Sequence, residues 1–166
     1  MVPILSRDPI TAPAAPGLSA CTPEALSALG PLLCLHDAAD PHLLSGWTRA
    51  VRVHAAIRLD SDGPCESLHF YDACGQACWR LHLLPDSDCH AWEHLLARLP
   101  VHTDGDAAPR TGLFGRKHAA APRWRACALR LHALPEERSP LRLAATDVRL
   151  SPLGRGCAQR LIRQAG

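Results

Sequence analysis

Between Glu66 and Pro100 the hydrophobic pattern changes period twice. In Ser67 to Tyr71, Leu68 and Phe70 fall on one side and His69 and Tyr71 on the other. The turn Asp72 to Gln76 follows, and a second alternating run extends from Ala77 to Leu84. There Ala77, Trp79, Leu81 and Leu83 face one way, and Cys78, Arg80 and His82 the other. Period two over so few residues predicts half-buried strands. After Pro85, Asp86 or Ser87 suits a helix cap. Ala91, Trp92, Leu95, Leu96 and Leu99 then recur at helical spacing until Pro100 stops them. Upstream, alternation runs from Trp47 to Leu59. Val51, Val53, Ala55, Ile57 and Leu59 form the apolar face, opposite Arg52, His54, Ala56 and Arg58. A turn at Asp60 to Pro64 joins this strand to the next. The three strands make an antiparallel meander, with the Trp92 helix packed on one face.

The flanks are less regular. Met1 to Ala20 is rich in Pro and Ala without periodicity, which predicts a flexible arm. Thr22-Pro23-Glu24 opens a helix: a capping hydroxyl, proline at the first position and an acid in the first turn. Leu26, Leu29, Leu32 and Leu33 offer its buried stripe, interrupted at Gly30-Pro31. A loop is expected over Asp37 to Pro41. Residues 101 to 123 lack pattern and suggest a mobile loop. Trp124 to Ala133 alternates again, with Cys127, Leu129, Leu131 and Ala133 inward. Leu141 to Leu150 has no clear pattern. Gly154 to Gln164 predicts a terminal helix with Cys157, Ala158 and Leu161 inward. The expectation is one α+β domain over residues 21 to 166, an antiparallel meander with flanking helices.

Composition narrows the function classes. A net charge of +2 over 166 residues gives no basis for nucleic-acid binding. No stretch approaches the roughly 20 apolar residues that span a bilayer. Lys117 is the single lysine, so the basic charge is almost all arginine. Such a bias accompanies the abundant Ala, Pro and Leu and lowers the meaning of ten histidines. The apolar run at Met1 is broken by Pro3 and followed by Arg7, Asp8 and Pro9, unlike a signal peptide. Eight cysteines without that signal point to reduced thiols in a cytoplasmic protein. There is no Cys-x-x-Cys; Cys74 and Cys78 lack two further ligands at zinc spacing. Phosphate-loop, GxSxG and HExxH patterns are absent.

Two blocks carry a resemblance. Ser67-Leu68-His69-Phe70-Tyr71-Asp72-Ala73-Cys74-Gly75 resembles S-[IL]-x-F-F-[DN]-x-x-G. Asp88-Cys89-His90-Ala91-Trp92-Glu93-His94-Leu95-Leu96 resembles D-x-x-A-W-x-x-L-[LV]. Both patterns occur, at this spacing, in haem-utilisation proteins of the HemS/HmuS/ChuS and ChuX type. The match spans about Pro41 to Leu99. A fainter one covers Ala144 to Arg163, where Ala145-Thr146-Asp147-Val148 resembles the T-D-V-H entry to the proximal-histidine helix.

The resemblance implies antiparallel sheets with flanking helices, here as a single repeat, and homodimer pairing as in the short members. It also implies haem (heme b) as cofactor, with storage, trafficking or hand-over to a haem-uptake or haem-processing partner, and ring cleavage in some members. The chain departs from the family at Arg149, which stands where T-D-V-H has its histidine. A guanidinium stays protonated and cannot ligate iron, although it suits a haem propionate. The arginine of long members ahead of the Trp is missing, with Pro41 about there. His54 matches a histidine that short members use near haem, so it is the candidate iron ligand. Arg52 and Arg58 share its strand face and are candidates for the propionates. His69 and His82 are expected to neighbour His54 across the sheet, with packing as their favoured role. Tyr71 is a haem ligand in principle, and a buried aromatic is the favoured reading. The alternative is a diverged scaffold that no longer binds haem and serves as an interaction protein. A haem-degrading enzyme has only kinship behind it.

Overall fold

The structure is a computed structural model that describes residues 17–61, 63–103, 123–135 and 142–165. In chain order its elements are α1 (Pro23–Ser27), β1 (Pro31–Asp37), α2 (Ser45–Arg49), β2 (Arg52–Asp60) and β3 (Gly63–Tyr71). They continue with β4 (Ala77–His82), α3 (Cys89–Leu96), β5 (Val101–Thr103), β6 (Trp124–Leu134), β7 (Arg142–Asp147) and α4 (Pro152–Ala165). Among the described residues the strands join in one sheet, in the order β5-β2-β3-β4-β1-β6-β7. Neighbours are antiparallel, except that short β5 runs parallel to β2. The α+β expectation and the β2-β3-β4 meander both hold. Most of the expected arm, and residues 104–122 of the expected loop, lie outside the described residues. The arm's last residues, Leu18–Ala20, form a 3₁₀ turn with Ala20 buried.

β1 overturns one expectation. Leu32 and Leu33 do not continue the α1 stripe. They belong to a strand inserted between β4 and β6. Its interior residues, Leu32 to His36, are all buried, so neither face carries the polar half of an alternation. A strand covered on both faces reads as a plain apolar run, which periodicity does not distinguish from a helical segment. Gly30, at φ 74°, makes the turn between α1 and β1.

Other differences are local. Trp47 lies on α2, not on the strand, which starts at Arg52. Val51 and Leu59 are exposed at the two ends of the predicted apolar face. Asp88, rather than Asp86 or Ser87, caps α3, accepting from the Ala91 N–H at 2.9 Å. Thr22 caps α1 as expected, accepting from the Ala25 N–H. β7 accounts for most of the unpatterned Leu141 to Leu150 segment.

The sheet has two different faces. On one, Val53, Ala55, Leu68, Phe70, Trp79, Leu81, Cys34 and Leu129 pack with Leu26, Trp92 and Leu95 into the main core. Phe70 and Trp79 meet edge-on at 5.1 Å, with Trp47 over both. Burying Phe70, Trp79 and Trp92 is worth about 1.5–3 kcal/mol each as an upper estimate. The Trp92 indole also donates to the Glu66 carboxylate at 2.8 Å. On the other face a second cluster joins Leu33, Leu84, Leu150, Ala158 and Leu161. This cluster seats α4. Among the described residues no helix is long and apolar enough to cross a membrane.

Asp86 fixes the start of α4. Its carboxylate accepts from the Ser151 backbone N–H at 3.0 Å and from the Ser151 hydroxyl at 3.1 Å. Gly154 leaves room for this carboxylate: a Cβ there would overlap it, so the Asp86 side chain would have to shift. Replacing Asp86 by Ala removes both hydrogen bonds and should destabilise the protein by about 1–3 kcal/mol. Urea unfolding measures this, and hydrogen exchange should show α4 amides losing protection before those of β1. Uniform loss across both elements would contradict the assignment.

Candidate functional site

Strand register places the polar residues of the second face. One row across the sheet reads His54, His69, Arg80, Leu35, Ala126. The adjacent row reads Ala56, Ser67, His82, Leu33, Ala128. Polar side chains therefore gather on β2-β3-β4, and apolar or small ones on β1-β6. α4 covers the apolar half, and only its last turns reach the polar half. There Leu161, Gln164 and Ala165 wall a partly open cleft of about 100 Å³. Its other walls include Arg58, Asp60, Ser67, His69, Arg80 and His82.

The two cleft histidines are neutral. Burial pushes His69 down to about 3, helped by the charges of Arg80, His82, Arg58 and His54. Burial pushes His82 down to about 4, with Arg80 and Arg58 adding to it. Their rings stand 6.4 Å apart. The Nε2 atom of His82 and the Nε atom of Arg80 are buried without hydrogen-bond partners among the described residues. Arg80 lies over the Trp124 ring at 4.5 Å, and burial lowers its pKa. Asp60 is the carboxylate in the cleft wall, but it faces α4: it accepts from Gln164 Nε2 at 2.7 Å and pairs with Arg160 at 3.8 Å. The excess positive charge of Arg58 and Arg80 on the cleft side suits an anionic ligand.

Ser67 and His69 are hydrogen-bonded at 3.0 Å. This pair is no nucleophile and base. An imidazole whose pKa is near 3 takes a proton poorly at neutral pH, and Ser67 is itself buried. Among the described residues no group of three or more His, Cys, Asp or Glu side chains could hold a bare metal ion.

Of the residues expected from sequence, the structure brings some together. His54 stands directly opposite His69, its ring 5.3 Å from that of Tyr71. Arg52 is opposite Tyr71 and acts on its phenol, whose pKa burial raises. Arg58 lines the cleft. Like His54 and Arg52, Arg149 is absent from the cleft lining, but unlike them it lies off the sheet, exposed on the β7–α4 connection. Sequence reading gave no role to Arg80, although alternation already put it beside His82. Gln164 and Asp60 were out of reach, because they meet across 104 residues.

No family model matches the chain, and no curated protein does. Among solved structures, the crystal structure of holo-PhuS, a heme-binding protein from Pseudomonas aeruginosa, is similar at 21% identity and a TM-score of 0.37. The similarity covers 63% of this chain and 36% of that one, so the chain spans about a third of PhuS. A likeness of that size carries no argument about function.

The neutral histidines predict a pH dependence. Unfolded imidazoles titrate near 6.5, whereas His69 and His82 titrate near 3 and 4 in the fold. Between those values the unfolded chain binds more protons. Their favourable term is therefore fully present above pH 6.5 and is lost as pH falls towards 4, on the order of a few kcal/mol in total. Thermal melts between pH 7.5 and 5, above the carboxylate range, should show this decline. His69→Gln and His82→Gln should flatten it; an unchanged slope in both would refute the assignment.

Proposed function

We propose that the chain binds haem on the α4 face of the sheet, for storage or hand-over. The observation that carries this reading is the row His54-His69-Arg80, with Arg58 and His82 beside it on the same face. It supports the expectation raised by the sequence blocks around Ser67 and Trp92.

The donor set fits haem in kind. Only a neutral imidazole ligates iron, and burial keeps two of these histidines neutral. A macrocycle already supplies four nitrogens, so one axial donor suffices where a bare ion would find too few. His54 is the proposed ligand, at the β2 end of the row and beside the cleft rather than in its lining. Arg58, Arg80 and Arg52 would take the propionates, because guanidinium matches carboxylate geometry. When bound, haem would supply iron redox and ligand chemistry; the residues here bind, orient and neutralise charge. Arg149, on the β7–α4 connection and outside this strand row, is left out of the site.

The fit in volume is poorer. About 100 Å³ is well below the roughly 300–1,000 Å³ of pockets that enclose small molecules. Haem would lie over the open polar half beside Tyr71, or displace the last turn of α4. This small volume, with Arg149 at the family's ligand position, also favours a second reading: a scaffold that has lost haem and acts through a protein partner. Homodimer pairing and a haem-processing partner belong to the first reading.

Titrating the purified protein with hemin separates the two. The haem reading expects a saturable one-to-one Soret spectrum. His54→Ala should change its position or abolish it, Arg80→Ala should weaken binding about tenfold or more, and Arg149→Ala should leave it unchanged. Absence of a saturable spectrum leaves the scaffold. A saturable spectrum insensitive to His54→Ala retains haem and removes the ligand.

A further inference from the structure

We propose that Cys34 and Cys127 are a thiol pair that hydrogen peroxide converts into an intramolecular disulfide. The two residues are direct partners in the β1–β6 register. Directly opposed residues in antiparallel strands have Cα atoms about 4.5–5.5 Å apart. A disulfide needs about 4.4–6.8 Å, so no backbone shift is required. Both side chains lie on the main-core face, in hydrogen-bonding contact with each other. The Cys127 sulfur is also 4.0 Å from the Cys34 carbonyl oxygen.

The two thiols are unequal, which sets their roles. Cys34 is 0% exposed, and burial raises its pKa well above the usual thiol range. Cys127 is half-buried, and the hydrogen bond from Cys34 lowers its pKa. A more accessible, more acidic thiol is the one that attacks peroxide first. The other core thiols are held protonated, Cys21 raised to about 12 and Cys78 to about 11 by burial.

The chemistry balances. The Cys127 thiolate attacks one peroxide oxygen, the O–O bond breaks, and the departing hydroxide takes a proton to become water. Cys127 is left as the sulfenic acid. Cys34 loses its proton and attacks that sulfur; the S–S bond forms, the S–O bond breaks, and hydroxide leaves with the proton as a second water. Two thiols give up two electrons and one peroxide accepts them. The bond would staple β1 to β6 inside the core, next to Trp79, whose indole N–H has no normal hydrogen bond among the described residues and lies beside the Cys34 sulfur.

The test uses the folded full chain with hydrogen peroxide, followed by alkylation, proteolysis and mass spectrometry. The expected result is a peptide pair linked through Cys34 and Cys127, reversed by dithiothreitol and accompanied by quenching of tryptophan fluorescence. Cys34→Ser should instead accumulate a dimedone-trapped sulfenic acid at Cys127. Cys127→Ser should leave Cys34 unmodified. Since Cys34 is wholly buried and its variant can fail to fold, the linked peptide pair in the unmodified chain, and its loss in Cys127→Ser, decide the matter. Oxidation confined to the exposed Cys74 and Cys89, or a bridge between Cys65 and Cys157 in place of this one, overturns the proposal.

Discussion

Covering both faces of β1 is the constraint on which the architecture depends. Leu32 and Cys34 are buried on one side of the strand, Leu33 and Leu35 on the other. Neither side can be left to water, because each large aliphatic group left exposed forgoes about 1.5–3 kcal/mol. One layer of helices is therefore insufficient. α1, α2 and α3 close the first face, with Trp47 of α2 over Phe70 and Trp79, and α4 closes the second over Leu33 and Leu84. The Asp86 carboxylate then ties the β4–α3 turn to the entrance of α4, joining the two layers through one hydrogen-bonded contact.

The site follows from what α4 leaves uncovered. Its apolar stripe matches the β1-β6 half of the face and ends where the β2-β3-β4 half turns polar. Histidine and arginine side chains there sit under partial cover. The cover is deep enough to strip protons from His69 and His82, with Arg58 and Arg80 beside them adding to the effect. On the proposed reading, these neutral donors beside guanidinium groups would face an anionic ligand carrying a metal. The same depression of pKa makes them poor acid–base catalysts.

The central strand also brings Cys34 and Cys127 together. Burial raises both thiols, but the hydrogen bond between them raises Cys34 and lowers Cys127, so the net shifts of the register pair are opposite. This asymmetry comes from depth within the core and from pairing across 93 residues, and is separate from the polar cleft on the other face.

Alternation by itself determined the meander. Leu68, Phe70, Trp79 and Leu81 on one face, with His69, Arg80 and His82 on the other, follow from period two. The Thr22 cap and the stripe of α3 were equally local. The same local pattern put His54, Arg52 and Arg58 on one strand face. It could not place β1, whose two-sided burial erases the polar half of the signal. Nor could it separate Arg149 from the cleft, or reveal that Asp60 meets Gln164. Alternation records which way a side chain points on its own strand. Strand order, register and the layer packed above decide which distant groups share that side and how much water reaches them. Neutral histidines, an arginine over Trp124 and a facing thiol pair are consequences of that second kind, because pKa and reactivity depend on burial and on neighbours contributed by other segments of the chain.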